Sequence, residues 1–166
     1  MRRHRSAISL LEVTIVMLVL GIMAAVTTPR FTSAVQSSQA HAAAIQVASH
    51  INYVRRVARS EGRTTTLRFE PSQGAYASTT VDFPDRAGER LDVDLKATYD
   101  SSLILSCDLD GATAMTFDLE GIPHVGAQWL QKGVVTITVG NSTQYVVIAS
   151  GAGIADVNSP EAFDPS

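Results

Sequence analysis

Cysteine is almost missing from this chain: Cys107 is the only one among 166 residues. No intramolecular disulfide can therefore staple the fold, and a lone thiol reads as a buried side chain before it reads as a reactive one. Aromatic residues are also scarce, at 6 % with a single Trp129, so a core must be assembled mainly from Val, Ile, Leu and Ala. Basic charge is short and unevenly spent. The formal net charge is −3, but three of the 13 basic residues stand within residues 1–7, and without them 10 face 16 acidic ones, a balance of −6. That argues against nucleic acid, whose phosphates call for a basic face. Glycine and proline are absent from Phe31 to Glu61. No internal repeat occurs, and no glycine-rich phosphate loop follows a candidate strand.

What is present begins with one long apolar run. Ile8 to Thr28 carries a single ionisable side chain, Glu12, with Arg2, Arg3 and Arg5 just ahead of it. As an α-helix it would reach about 32 Å, enough for a bilayer core of about 30 Å. Arginines before an apolar segment stay on the cytoplasmic side, so the expected topology is single-pass, with the N-terminus cytoplasmic and the rest exported. A secretory signal peptide is the competing reading. Its apolar region is shorter and ends at a small-residue cleavage site, whereas this run is longer, contains Glu12 and offers only Met23-Ala24-Ala25-Val26.

The helical pattern resumes at once after Pro29, which lacks an N–H and is expected to kink or interrupt the helix without ending it. Val47, Ile51, Val54 and Ala58 recur on one face. Arg55, Arg56 and Arg59 suit a helix C-terminus, and Gly62 supplies the stop. The expectation is one helix of about 50 residues, with residues 8–28 in lipid and 29–62 amphipathic and packed on a domain.

Beyond Gly62 the hydrophobic period falls to two. Strands are expected at Thr64–Phe69, Ala75–Val81, Leu91–Leu95, Ser101–Ser106, Ala114–Leu119, Val134–Val139 and Gln144–Ala149, joined by turns such as Glu70 to Gly74 and Gly140 to Thr143. Roughly seven strands in about 90 residues point to an antiparallel sheet or sandwich over 63–150, and so to an α+β fold. Val81–Arg90 and Ile122–Gly133 read as the longest loops. Residues 151–166, small and polar with two prolines, read as a flexible tail.

Enzymatic constellations are hard to build. His41 and His50 stand nine apart on the long helix, off the i, i+4 spacing of a metal pair, and read as exposed. Asp108, Asp110 and Gly111 suggest a calcium loop begun at Ser106, but its bidentate position falls on Phe117, so an acidic turn is the better reading. His124 has no adjacent nucleophile motif. No catalytic residue, metal site or cofactor is expected.

The N-terminus carries a family resemblance. Ser6-Ala7-Ile8-Ser9-Leu10-Leu11-Glu12-Val13 resembles the type IV prepilin processing motif, in which a short basic leader (residues 1–7) ends in a small residue before an apolar one. Counted from Ile8, Glu12 is fifth, Gly21 fourteenth and Pro29 twenty-second, where pilin-like helices commonly carry those residues; Ala7 departs from the usual glycine. Val54-Arg55-Arg56-Val57-Ala58-Arg59-Ser60-Glu61-Gly62 with the strand after it, Phe117-Asp118-Leu119-Glu120-Gly121, and the closing hairpin with Gly151 are similar to the minor pseudopilin H group, which includes FimT-like minor pilins.

That resemblance implies a structural subunit of the periplasmic pseudopilus of a type II secretion system, anchored in the inner membrane. It implies cleavage between Ala7 and Ile8 by a prepilin peptidase, N-methylation of Ile8, attraction between Glu12 and a neighbour's new α-amine, and helix flexibility at Gly21 and Pro29. Its partners would be other pseudopilins or pilins, the peptidase, an inner-membrane assembly platform and membrane lipid. A FimT-like minor pilin, serving adhesion or DNA uptake, is the close alternative, with the acidic mature chain leaning against DNA. A membrane-anchored binding module or enzyme is the more distant one.

Overall fold

The computed structural model describes residues 10–158, including every side chain among them except those of 24–30 and 158. The chain divides into two compact units, Met1–Val35 and Gln36–Ser166. One α-helix, α1 (Leu10–Glu61, 52 residues), contributes to both, and it runs on as helix through Pro29. It ends where glycine permits: Gly62 takes φ 59°, and Arg63 N–H reaches back to the Ala58 carbonyl at 3.2 Å, closing a Schellman-type cap.

The first unit's described part is the N-terminal portion of α1. Its side chains from Leu10 to Met23 are all exposed.

Among the described residues, the second unit is built on the rest of α1 and ten strands in two antiparallel sheets. β1 (Thr65–Glu70), β2 (Ala75–Phe83), β3 (Arg86–Asp94), β5 (Ala114–Phe117), β6 (Pro123–Val125) and β7 (Gln128–Trp129) form one sheet, in the order β3-β2-β1-β5-β6-β7. β4 (Ile104–Leu109), β8 (Gly133–Val139), β9 (Ser142–Ile148) and β10 (Ala155–Asn158) form the other, in the order β10-β9-β8-β4. A one-turn helix, α2 (Leu95–Thr98), follows β3. The architecture is α+β, a long helix packed on antiparallel sheets, as the change of hydrophobic period implies.

One core joins these layers. Ala40, Ala44, Val47, Ile51, Val54 and Ala58 are each fully buried, so the face predicted from Val47, Ile51, Val54 and Ala58 is the one that packs. Against it lie Leu67, Phe69 and Tyr76 from one sheet and Val135, Ile137, Val139, Val146 and Ile148 from the other. Alanines at 40, 43, 44, 48 and 58 let the sheets approach the helix closely, and the aliphatic strand residues fill the space as the shortage of aromatics requires. β8 alternates cleanly, with Val135, Ile137 and Val139 inward.

Several boundaries differ from expectation, for local reasons. β2 runs to Phe83 and β3 starts at Arg86, so Val81–Arg90 is a hairpin and not a loop. Its start was hidden because Arg86 to Arg90 are all exposed on a sheet edge and carry no alternation. Leu95 belongs to α2, whose first turn is capped by the Asp94 carboxylate accepting from Ala97 N–H at 3.0 Å. β4 begins at Ile104, three residues later than expected, since Asp100 turns the chain by accepting from Ser102 N–H and Leu103 N–H. Ile122–Gly133, expected as a loop, contains β6 and β7. The β8–β9 turn is the two residues Gly140 and Asn141, with Gly140 at φ 57°. The tail expected to be loose from Gly151 instead carries β10, paired with β9 from Ala155↔Ile148 to Asn158↔Tyr145; the rest of that segment lies outside the described residues.

Candidate functional site

The predicted site residues lie on or ahead of the N-terminal part of α1. Ala7 and Ile8 lie outside the described residues, and so does the side chain of Pro29. Glu12 stands in the first described turn of α1 with its side chain exposed. Around it Leu10 is 83 % exposed, Leu11 68 %, Ile15 53 % and Val16 51 %, and the apolar exposure continues through Met23. These positions lie on every side of the helix, so the surface is apolar all round, unlike a helix that faces a core on one stripe. Thr14 fits that setting because its hydroxyl donates to the Leu11 carbonyl at 2.8 Å, inside the helix. Among the described residues Gly21 has no neighbouring atom within 4 Å of where a Cβ would stand, so no packing among them requires glycine there. Among the described residues no helix is long and apolar enough to cross a membrane. The expected span, Ile8 to Thr28, lies partly outside them.

In the second unit, side chains at the far end of α1 tie it to both sheets. His50 Nδ1 and the Tyr76 hydroxyl are 2.7 Å apart, with Tyr76 on β2. Burial lowers the His50 pKa against the opposing pull of Asp85, and burial pushes the Tyr76 phenol up, so the neutral pair is the stable form. Asn52 donates from Nδ2 to the Ala155 carbonyl at 2.8 Å and accepts the Ala155 N–H on Oδ1 at 3.0 Å, clasping the outer edge of β10. Arg55 Nε donates to the Gly121 carbonyl at 3.3 Å, and a Cβ at Gly121 (φ 78°) would meet the Arg59 stem at 2.7 Å. His50, read as exposed from sequence, is half-buried between two sheet aromatics, Tyr76 and Phe83.

The enzyme-like candidates resolve into structural ties. Asp108 accepts from Gly111 N–H at 3.1 Å, and Asp110, at φ 51°, accepts from Gln131 N–H and Lys132 N–H at 2.7 and 3.0 Å. The Asp108 carboxylate thus closes the β4–β5 turn on itself, and the Asp110 carboxylate pins that turn to the residues just ahead of β8. His124 Nε2 lies 3.1 Å from Asp118 Oδ2. Burial pushes the Asp118 carboxyl up, but hydrogen bonds from Ile122 N–H, His124 and Glu120 N–H outweigh it and hold the group below the usual carboxylate range. This acceptor set explains why β5 stops at Phe117. Cys107 is half-buried, and burial raises its pKa, which disfavours the reactive thiolate. Among the described residues no group of three or more His, Cys, Asp or Glu side chains is placed to hold a metal ion. The Asn52 clasp and the His50–Tyr76 pair were missed from sequence, because each joins residues far apart in the chain and neither has a local spacing signal.

No protein-family model matches the chain, and no curated protein matches it. Solved structures do. The type IV minor pilin FimU of Pseudomonas aeruginosa is similar in two crystal forms: at 13 % identity over 77 % of this chain and 93 % of that one with a TM-score of 0.53, and at 16 % identity over 75 % and 96 % with a TM-score of 0.52. The minor pseudopilin EpsH of the Vibrio cholerae type 2 secretion system is similar at 12 % identity over 74 % of this chain and 98 % of that one, with a TM-score of 0.55. At such identities the likeness is one of architecture. A long helix packed on antiparallel sheets is the architecture this protein shares with those subunits: it has the type IV pilin-like fold.

Proposed function

We propose that this protein is a minor pseudopilin, a structural subunit of the periplasmic pseudopilus of a type II secretion system. The observation that carries the reading is the division of α1: residues 40–58 bury one face in a core, while Leu10 to Met23 expose apolar side chains in every direction. Such a surface calls for lipid or for other helices as its solvent. The inner membrane supplies the first before assembly, through a span over Ile8 to Thr28, and neighbouring pilin-like helices supply the second afterwards. The arginines ahead of the span keep the N-terminus cytoplasmic and place the second unit in the periplasm.

In this reading prepilin peptidase cleaves between Ala7 and Ile8 and methylates the new amine of Ile8. A carboxylate inside a membrane costs about 2.5 to 3.5 kcal/mol at mid-span, so Glu12 is retained for a partner, the α-amine of an adjacent subunit. Five residues of helix span only about 6 Å, and a small axial stagger brings the two charges together. Extrusion is driven by an assembly platform, with other pilins as filament partners. The likeness to FimU supports a minor pilin of a type IV pilus as the alternative reading. Co-purification with secretion-platform or with pilus components separates the two.

Mass spectrometry of the protein from its own membranes tests the proposal. A mature chain beginning at methylated Ile8 is the expected result. An intact Met1, or a start near Thr27, overturns it. Glu12→Gln is expected to leave the folded unit unchanged, since Glu12 touches none of the core, and to reduce incorporation into filaments about tenfold, the loss of about 1.4 kcal/mol of ion pairing.

A further inference from the structure

The outer face of the larger sheet carries side chains that neither the core nor α1 uses. On β1, Thr65, Leu67 and Phe69 are buried in the core, so Thr66, Arg68 and Glu70 stand on the opposite side. Directly opposed residues of neighbouring strands share a face, and the register therefore sets what lies beside them. One row runs Thr66, Thr116, His124, Trp129 across β1, β5, β6 and β7. The next runs Ala114, Arg68, Ala77, Asp92 across β5, β1, β2 and β3. Arg68, Asp92 and Trp129 are exposed and the others half-buried, so among the described residues nothing covers this face.

Three features of the face point to a small ligand. Trp129 is 61 % exposed yet braced, because its ring stands edge-on to His124, with 6.5 Å between centroids at 87°, and Asp118 Oδ2 lies 3.1 Å from His124 Nε2. An indole held this way offers a ready surface without first losing its own freedom. Arg68 stands between two alanines, Ala77 and Ala114, whose small side chains leave its guanidinium clear. With Thr66, Glu70 and Thr79 they border a hollow of about 400 Å³. Among the described residues the side chains of Arg68 and Glu70 have no ion-pair or hydrogen-bond partner. Between the hollow and the indole, the Thr66 and Thr116 hydroxyls lie 3.2 Å apart and keep capacity for a further bond.

We propose that this face binds a neutral, extended oligosaccharide, with Trp129 stacked on one sugar ring and Arg68 and Glu70 holding the hydroxyls of another. A pyranose has an apolar C–H face and a rim of hydroxyls that both donate and accept, which suits an indole at one end and a planar guanidinium and carboxylate at the other. Three strand spacings separate β7 from β1, about 14 Å, the reach of a few consecutive rings in a flat β-linked chain. Charge favours a neutral ligand. Arg68 and Glu70 cancel and Asp92 adds only a negative charge, so the face has nothing to hold a polyanion. A protein partner is disfavoured by size, since protein interfaces centre on a buried apolar cluster, whereas here the middle is Ala and Thr and the one large ring stands on the edge strand. The site lies wholly in the second unit and is independent of how the N-terminal segment is processed.

Trp129 is the only tryptophan of the chain, so its fluorescence reports the site directly. The test titrates the full chain, in micelles of a detergent without a sugar headgroup, with the tetramer of β-1,4-linked N-acetylglucosamine, and follows emission and heat together. The expected result is a change in Trp129 emission with a Kd of about 0.1 to 1 mM, the weak range of a ligand covered on one side only. Raising salt from about 0.05 to about 0.5 M should move that Kd by less than about twofold, because no net charge is paired. Trp129→Ala and R68A/E70A, read by calorimetry, should each weaken binding about tenfold or more, and Trp129→Phe, which keeps a ring, should fall between. These side chains lie outside the core, so an unchanged melting temperature separates lost binding from a lost fold. The α-1,4-linked glucose tetramer, which coils, should bind at least about tenfold more weakly. Unchanged emission and no heat at about 10 mM tetramer overturn the proposal. Binding that Trp129→Ala and R68A/E70A leave untouched overturns it by placing the sugar elsewhere, and equal binding of the two tetramers overturns the fit to an extended chain. Quenching by a thymidylate oligomer instead of the sugar, abolished by salt, would assign the face to a polyanion and overturn it as well.

Discussion

Asn52→Ala isolates the clasp that holds the C-terminal strand. Asn52 makes two hydrogen bonds with the backbone of one residue, Ala155, whose surface is only 5 % exposed. Truncation removes both partners and leaves the Ala155 N–H and carbonyl on the outer edge of β10 with poor access to water. Each unsatisfied buried group costs about 1 to 3 kcal/mol, and partial solvation of a strand edge brings the pair to about 2 to 4 kcal/mol. In urea titration of residues 36–166, which hold the described core from Ala40 to Ala155, the midpoint should fall by about 1 to 2 M at unchanged slope. Amide exchange should rise first in β10, which is four residues long and held otherwise by β9. Asn52→Asp keeps the acceptor but turns a carboxylate against the Ala155 carbonyl, so it should do no better than alanine. A loss below about 0.5 kcal/mol in Asn52→Ala, with β10 amides still protected, would refute the reasoning, because the two bonds would then add nothing beyond water.

Gly153→Ala should cost about 2 to 4 kcal/mol by thermal melting, since φ 63° disfavours a side chain and its Cβ would stand 2.9 Å from the Gly121 carbonyl. Gly151→Ala, at φ 71° with open space around it, should cost only about 1 kcal/mol, which separates strain from collision. His50 has its pKa lowered by burial, so the unfolded state binds the proton more readily, and stability should fall as pH drops below about 6.5. His50→Gln should flatten that part of the profile in urea midpoints measured against pH. Asp118, held below the usual carboxylate range, should contribute its own loss only near and below about pH 4, so Asp118→Asn should change the profile there and leave the His50 region as it was.

The residues themselves determined the long helix and where it ends. Apolar spacing at 3.6 from Val47 to Ala58 and the glycine at 62 follow from helix geometry and from the left-handed backbone that only glycine adopts cheaply. The alternation of β8 likewise fixed its inward face. Glu12 was legible as a candidate because a lone carboxylate in an apolar run is costly wherever it ends up.

Tertiary structure alone decided what depends on distant partners. Arg86 to Arg90 form a strand only because β2 offers an edge, and β6 and β7 are too short to show a period of their own. The segment after Gly151 looked loose because its order comes from β9 and from Asn52, which is 103 residues away from Ala155. His50 acquired its burial from Tyr76 and Phe83, which the β2–β3 hairpin brings to it. Local sequence sets backbone period and termination through sterics. Which edge, charge or acceptor meets which is settled only when the sheets close on the helix, since those contacts carry no spacing along the chain.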